Sequence, residues 1–531
     1  MRRCIWRNER ILYRRACDLC KKNIISMYTK DALFPVYCKE CWYGDGWDAT
    51  SYAKDYDPNR NFFEQYKELL DSVPRLTLWS RNNINCDYSN FCGEARNVYL
   101  SCSVIKNSEN VFFSKSIDNS KDIVDCMNVI NGSESLYENV EAQGNYNSQH
   151  LLLSRACIDS YFLVDCANCS NCFMSYNLRN KKFCIRNQQY TREDYFKELA
   201  KFNLKSRQER EALKSEFDEM RKKAIYRYGN ITKCVNVTGN NMLNVKNSKT
   251  CFEIYNMEDS KYCYRAFDSK ECMDMNFGGW SELLYEYTTG ARNDYNLRFS
   301  YSAMDSVRNS DYTDSCRNCS DIFGCISLSN KNYAILNKVY PKDEYFKLRG
   351  EIIEAMNTNP FIDRGGRVYR YGEFFPPEFS PHCYNESPAY EFELLTREEA
   401  EAKGYLWKEE EPKNFKITMG PESVPDNIDD TDESILNEVI GCAHRGECTH
   451  ICNFGFRIAN YEFSFYKKMG IPIPTHCPNC RYFERVKGMP ENKLYERQCM
   501  REGCRNEFET AYAPDRSERV YCESCYNKEI Y

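Results

Sequence analysis

Ser248-Lys-Thr-Cys251, Ser260-Lys-Tyr-Cys263 and Ser269-Lys-Glu-Cys272 spell one phrase, Ser-Lys-x-Cys, three times in close succession. Upstream, Asn107, Asn119 and Asn131 recur at intervals of twelve, each beginning an Asn-Ser or Asn-Gly step before a short stretch of apolar residues and cysteine. Asn, Asp and Gly tolerate left-handed backbone, whereas Val, Ile, Tyr, Phe and small Cys suit pleated strands. Short strands at such regular spacing predict a β-solenoid or a related stack of sheets.

A larger period encloses this one. Cys166-Ala-Asn-Cys169-Ser and Cys316-Arg-Asn-Cys319-Ser lie 150 residues apart, and 14 of the 34 positions from Cys166 to Leu199 are identical in the second copy. The spacing of Cys166, Cys169, Cys172 and Cys184 also suits an iron–sulfur cluster or a further zinc ion. The second copy, however, has Ile322 and Ala334 in place of Cys172 and Cys184, which favours packed thiols in the repeat core.

Apolar spacing changes from strand-like to helical after each copy. Thr191 offers an N-cap before Tyr195, Phe196 and Leu199, with Leu213, Phe217 and Met220 continuing, and the matching helix runs from Pro341 to Asn359. An earlier helix is expected from Pro58 to Ser72, with Phe62, Phe63, Tyr66, Leu69 and Leu70 on one face. These helices are expected to brace open solenoid ends.

Cysteines near the ends of the chain form three quartets with the spacing of structural zinc sites: Cys17, Cys20, Cys38 and Cys41; Cys448, Cys452, Cys477 and Cys480; Cys499, Cys504, Cys522 and Cys525. Four thiolates saturate a tetrahedral zinc ion, and modules this short cannot bury enough apolar surface to fold alone. The expected cofactor is therefore three structural zinc ions. In the second quartet Cys442, His444 and His450 lie close enough in sequence to substitute as ligands; four sulfurs are preferred, with the histidines hydrogen bonding nearby. His150 and His382 read as structural histidines.

The chain has 531 residues, 31 cysteines and a net charge of −6. The start lacks the apolar run of a signal peptide, and no apolar stretch approaches the roughly 18 residues needed to cross a bilayer, so a cytoplasmic protein with no membrane partner is expected. In that compartment paired cysteines serve as metal ligands and isolated ones as small apolar residues. Charge is uneven: residues 1–22 hold eight Lys/Arg against two acids, and residues 481–505 hold seven against four. Residues 409–438 hold ten acids and two lysines, with Pro412, Pro421 and Pro425, and read as an exposed connector.

Mainly β with helices, the expected architecture is a duplicated β-solenoid-like repeat body flanked by small zinc-ribbon or zinc-knuckle modules. It divides into an N-terminal zinc ribbon (1–50), a helical connector (51–80), a first β-repeat unit (81–189), a helix (190–229), a second β-repeat unit (230–340) and a helix (341–359). An extended Tyr/Pro-rich segment (360–408), the acidic linker (409–438), a second zinc module (439–497) and a C-terminal zinc ribbon (498–531) complete it.

Several phrases carry a family resemblance: Phe34-Pro-Val-Tyr-Cys38 with Cys41-Trp42, Tyr371-Gly-Glu-Phe-Phe375, Phe465-Tyr-Lys-Lys-Met469 with Ile471-Pro-Ile-Pro474, Cys477-Pro-Asn-Cys480-Arg481, and Tyr512-Ala-Pro-Asp515 before Val520-Tyr-Cys522. In these the chain resembles cysteine-rich zinc-ribbon proteins with a repetitive middle region from small-genome uncultivated bacteria. The resemblance implies paired-cysteine zinc modules around that middle and points to no particular activity.

Function is expected to be non-enzymatic: a zinc-binding scaffold with a protein partner, since solenoids offer broad stiff faces. One alternative is RNA or DNA binding, with phosphates met by Arg481, Arg485, Lys487, Arg497, Arg501 and Arg505 and bases stacked on nearby aromatics. Another is a solenoid enzyme with paired acids or a thiol redox protein. The sequence has no phosphate-binding GxxxxGK[ST] loop and no HExxH helix, so no catalytic residue is assigned.

Overall fold

The computed structural model describes residues 2–290, 292–409 and 415–531. Two parallel β-solenoids, residues 80–189 and 231–339, form its body. One turn takes twelve residues: Gln149 pairs with Tyr161 and Tyr161 with Phe173 in the first, Phe252 with Tyr264 and Tyr264 with Asn276 in the second.

The chain bends because every third residue is left-handed. Asp159, Phe162, Asp165, Asn168, Asn171, Met174, Asn177 and Asn180 all have φ between 48° and 57°. Four such corners in twelve residues make a four-sided turn, three residues to a side. The residue after each corner points inward, as with the buried Cys166, Cys169, Cys172 and Ser175, and the next points out. In the Ser-Lys-x-Cys phrase, Ser and Cys are therefore successive inward residues, Lys faces out and x (Thr250, Tyr262, Glu271) is the corner.

Left-handed backbone costs a non-glycine residue roughly 1–2 kcal/mol, and two sets of stacked hydrogen bonds oppose that cost. Outside, corner amides link neighbouring turns: Asn168 Nδ2 donates to Asn180 Oδ1 at 3.1 Å, and Asn244, Asn256 and Asp268 continue one column at 2.8 and 2.7 Å. Inside, a small polar side chain accepts the backbone N–H one turn further on. Ser148 Oγ accepts from Ser160 N and Ser160 Oγ from Cys172 N, each at 3.2 Å; Ser248 and Ser260 repeat the relation with Ser260 and Cys272. A narrow interior with N–H groups to satisfy selects serine, asparagine and cysteine beside Val, Ile and Leu. Cys157, Cys166, Cys169, Cys172 and Cys184 belong to this interior.

Four turns lengthen to thirteen residues, in the pairs Arg96–Glu109, Lys121–Glu134, Glu282–Tyr295 and Tyr295–Arg308. The first three contain two consecutive left-handed residues, Lys106-Asn107, Asn131-Gly132 and Thr289-Gly290, so the extra residue is taken up at a corner, whereas the fourth takes it up on the side between left-handed Ser302 and Ser306.

The duplication extends to the ends. Lys182–Ile185 turns back on Gln188–Gln189 and Asn332–Ile335 on Lys338–Val339, through left-handed pairs Arg186-Asn187 and Leu336-Asn337. Helices Arg192–Leu199 and Lys342–Thr358 follow. Helix Phe62–Leu70, capped by Asn61, precedes the first solenoid in sequence yet covers the end of the second, with Phe62 5.1 Å from Phe323 and Phe63 5.4 Å from Tyr312 between ring centroids. Gly324 is left-handed there, and a Cβ on it would meet the Phe62 ring at 2.8 Å.

Three expectations are corrected. The single helix of 190–229 is two, Arg192–Leu199 and Arg207–Lys223, the second capped afresh by Ser206. The aromatic segment 360–408 does not lie extended: it folds into a hairpin and short helices, and Phe374, Phe375, Phe379 and Tyr384 enter the largest core, with Phe375 4.9 Å from Trp6. The acidic segment is not an exposed connector over its described part, because Val424, Ile428 and Ile435 are buried against the second metal module; residues 410–414, Pro412 among them, lie outside the described residues.

Replacing the exposed corner Asn168 by valine is expected to lower unfolding free energy by about 1–2 kcal/mol, since a β-branched residue cannot sit at φ 54° without strain. Asn168→Gly should cost clearly less in the same denaturant titration. Equal losses would mean that the amide stack, rather than backbone conformation, sets the cost.

Candidate metal centres

Three modules share one construction. A hairpin carries the first two cysteines at its turn: Tyr13–Ala16 with Asn23–Ser26, Ile440–Gly441 with Gly455–Phe456, and Tyr495–Gln498 with Glu507–Thr510. The third cysteine is then the N-cap of a helix: Cys38 for Lys39–Tyr43, Cys477 for Pro478–Lys487, Cys522 for Glu523–Ile530. A helix N-terminus favours a thiolate, because unpaired N–H groups and the helix dipole face it.

Cys17, Cys20, Cys38 and Cys41 converge, as do Cys499, Cys504, Cys522 and Cys525, with ligand atoms within 4.8 Å of one another in each group. Burial opposes ionisation of Cys17 and Cys522, but hydrogen bonds outweigh it, led by the Cys38 N–H on Cys17 and the Cys525 N–H on Cys522, and hold both thiols at about 7. One thiol of each set is thus poised to ionise near neutral pH, while burial raises its neighbours Cys38, Cys41, Cys499 and Cys525.

The second group differs from the expected quartet. Cys442, Cys452, Cys477 and Cys480 converge and all four are buried, whereas Cys448 joins His444, His450 and Cys480. A backbone relation explains the exchange. Cys38 N donates to Cys17 Sγ at 3.2 Å and Cys522 N to Cys499 Sγ at 3.4 Å; in the second module Cys477 N donates to Cys442 Sγ at 3.2 Å. Cys442 therefore occupies the place of Cys17 and Cys499, and the loop 443–451 between it and Cys452 carries Cys448 and both histidines.

All three modules are fastened to the solenoids. Val36–Tyr37 pairs in parallel with Arg75–Leu76, which leads into the first solenoid, and Arg519–Tyr521 pairs in parallel with Ile225–Arg227, which leads into the second. The middle module lies on the first solenoid, where Tyr461 stacks on Phe112 at 4.6 Å and donates to Asp122 at 2.6 Å.

That docking consumes two of the arginines expected to meet phosphate. Arg481 and Arg485 pair with the buried Asp125 at 3.3 and 2.9 Å, and Arg481 also hydrogen bonds Tyr466 Oη at 3.0 Å. Their side chains are 5% and 7% exposed, so neither guanidinium reaches a surface ligand. Arg497 donates to the Ala513 carbonyl at 3.2 Å and Arg501 pairs with Glu529 at 3.0 Å, while Lys487 and Arg505 are exposed.

Two features had no sequence signal, because their members meet only in three dimensions. Glu9 is fully buried between Arg265 of the second solenoid, at 2.9 Å, and Lys115 of the first, at 2.8 Å, with Arg7 also in contact; Lys115 reaches Glu391 at 2.6 Å. Burial disfavours the Glu9 charge, but the three cations outweigh it and hold its carboxyl well below the usual range. The second is a cavity of about 230 Å³ between the solenoids, lined by Asn128, Glu141, Asn241 and Tyr255 among others. Burial, reinforced by Glu253, pushes the Glu141 carboxyl up to about 8 even though Asn128 and Asn241 donate to it at 2.7 and 2.9 Å. No helix among the described residues is long and apolar enough to cross a membrane.

No protein-family model and no curated protein matches the chain. Among solved structures, a putative acetyltransferase from Desulfovibrio desulfuricans G20 is similar at 9% identity and a TM-score of 0.10, over 50% of this chain and 71% of its own; a likeness at that level carries no argument about this chain.

Removing bound metal with a chelator is expected to open the hairpin-and-helix modules at 1–50 and 498–531 to protease while the solenoid β signal persists, since structural metal binding supplies about 10–16 kcal/mol to modules of this size. Identical digestion with and without chelator would refute the assignment. Glu141 gives a pH prediction. Its folded pKa lies above the ordinary carboxyl value, so its favourable contribution is complete below that value and is lost as pH rises through about 8. Glu141→Gln should gain stability relative to the parent between about pH 5 and pH 9; parallel stability profiles would contradict this.

Proposed function

We propose that the protein is a non-enzymatic, zinc-braced scaffold whose second solenoid presents one flat side to a protein partner. The observation that carries this reading is a row of outward residues on consecutive turns, Glu258, Lys270, Glu282, Tyr295 and Arg308, aligned in register. Glu258, Lys270, Tyr295 and Arg308 are exposed, and Trp280 stands at a neighbouring corner, 42% exposed. At about 4.8 Å per turn the row runs for roughly 19 Å and alternates in charge before ending on an aromatic residue and a cation. Parts of the other sides are occupied: Tyr255 and Phe267 line cavities facing the first solenoid, and Tyr312 and Phe323 lie under helix Phe62–Leu70, while Lys261 and Met273 on an adjoining side are exposed.

Zinc is the ion that suits the cysteine groups. Bonds of about 2.3 Å in a tetrahedron place sulfurs about 3.8 Å apart, and Cys20 Sγ lies 3.8 Å from Cys38 Sγ and Cys442 Sγ 3.8 Å from Cys480 Sγ. Sites closed by four thiolates leave no position for substrate, which favours bracing over catalysis. Nucleic-acid binding, the alternative, is weakened by the burial of Arg481 and Arg485.

Capture experiments on lysate of the source cells should recover a partner that Lys270→Glu/Tyr295→Ala/Arg308→Glu no longer retains, with nuclease making no difference. Recovery abolished by nuclease, or unchanged by the triple variant, would reject the proposed face.

A further inference from the structure

The two groups in the middle module have one member in common. Cys480 Sγ lies 3.8 Å from Cys442 Sγ and 3.8 Å from Cys448 Sγ. Each distance is one edge of a sulfur tetrahedron around a zinc-like ion, about 3.8 Å for bonds of about 2.3 Å. Cys442, Cys452, Cys477 and Cys480 form one set of four and His444, Cys448, His450 and Cys480 a second, the ligand atoms of each lying within 4.8 Å of one another. We propose that this module holds two divalent zinc-type ions bridged by the Cys480 thiolate.

The imidazoles are prepared for such a role. Nδ1 of His444 and Nδ1 of His450 are both buried without a hydrogen-bond partner, an arrangement that costs free energy unless a ligand takes the lone pair. His450 Nε2 lies 3.8 Å from a Glu484 carboxylate oxygen, on the helix that Cys477 caps. Metal-bound histidines characteristically donate their second nitrogen to a carboxylate; at 3.8 Å Glu484 stands beside that nitrogen, just outside hydrogen-bond range. Three of the chain's five histidines gather here, with the His444 ring 5.4 Å from His450 and 4.5 Å from His476.

Comparison with the other modules shows where the second set comes from. Two residues separate Cys17 from Cys20 and four separate Cys499 from Cys504, but nine separate Cys442 from Cys452, and His444, Cys448 and His450 all lie in that longer loop. A second cation on the shared sulfur also offsets part of the negative charge that a buried four-thiolate site carries. The extra ion closes the loop onto helix Pro478–Lys487, the same helix whose Arg481 and Arg485 grip Asp125 of the first solenoid.

Native mass spectrometry of the full zinc-loaded chain tests the bridge. Four ions per chain are expected, one for each group. His444→Ala/His450→Ala and Cys448→Ser should each hold one ion fewer with an unchanged far-UV spectrum, and Cys480→Ser two fewer. Three ions or fewer in the parent, or the loss of only one from Cys480→Ser, would overturn the proposal. Should Cys480→Ser fail to fold, the cobalt(II)-loaded parent gives an independent readout: a thiolate-bridged pair couples magnetically and lowers the moment below that of four separate high-spin ions. A moment equal to the sum of four isolated ions would equally overturn it.

Discussion

A left-handed residue at every third position is the constraint from which the rest of this structure follows. It closes each turn in twelve residues, and a turn that tight leaves an interior only a few side chains wide. Many large residues are thereby sent outward or to the corners, as with Phe162, Met174, Phe277 and Trp280, all left-handed, although the second solenoid takes Met257, Met275 and Tyr287 inside. Val and Ile, whose branched Cβ resists positive φ, are absent from the described solenoid corners. Much of the cysteine content that invites a disulfide or cluster reading is thus explained by volume and by the need for a small acceptor inside.

Some of this was legible in the chain and some was not, for identifiable reasons. The period of twelve, the 150-residue duplication and the metal-ligand character of the terminal cysteines are visible because identical residues recur at fixed spacing. The deeper period of three is hidden, because corners accept Asn, Asp, Ser, Glu, Phe and Tyr alike and so leave no single-letter trace. Close cysteine spacing points to Cys448 rather than Cys442 because it suggests a knuckle, whereas the fold follows the hairpin and places Cys442 where Cys17 and Cys499 stand. Arg481 and Arg485 read as surface cations because their counter-ion is some 360 residues away.

Beside apolar contacts such as Phe91 on Phe277, buried charges join the two solenoids. Glu9 joins a cation from each solenoid to the N-terminal segment, and Lys115 extends the network to helix Pro388–Phe392. Such a node is sensitive rather than strongly stabilising: removing one member leaves the others charged and buried, at a cost of about 3–5 kcal/mol. Its geometry fixes how the two halves sit together, which an apolar contact of similar area would leave less defined.

The pairing of Arg519–Tyr521 with Ile225–Arg227 has a consequence for the order in which the molecule is made. During synthesis, the strand leading into the second solenoid waits with an unsatisfied edge until Arg519–Tyr521 is made, about 290 residues later, and the end of that solenoid must find a helix made about 260 residues earlier. Contacts so distant along the chain form slowly. The nascent protein therefore passes through a long interval with unpaired β edges on show, when one chain can anneal to the next.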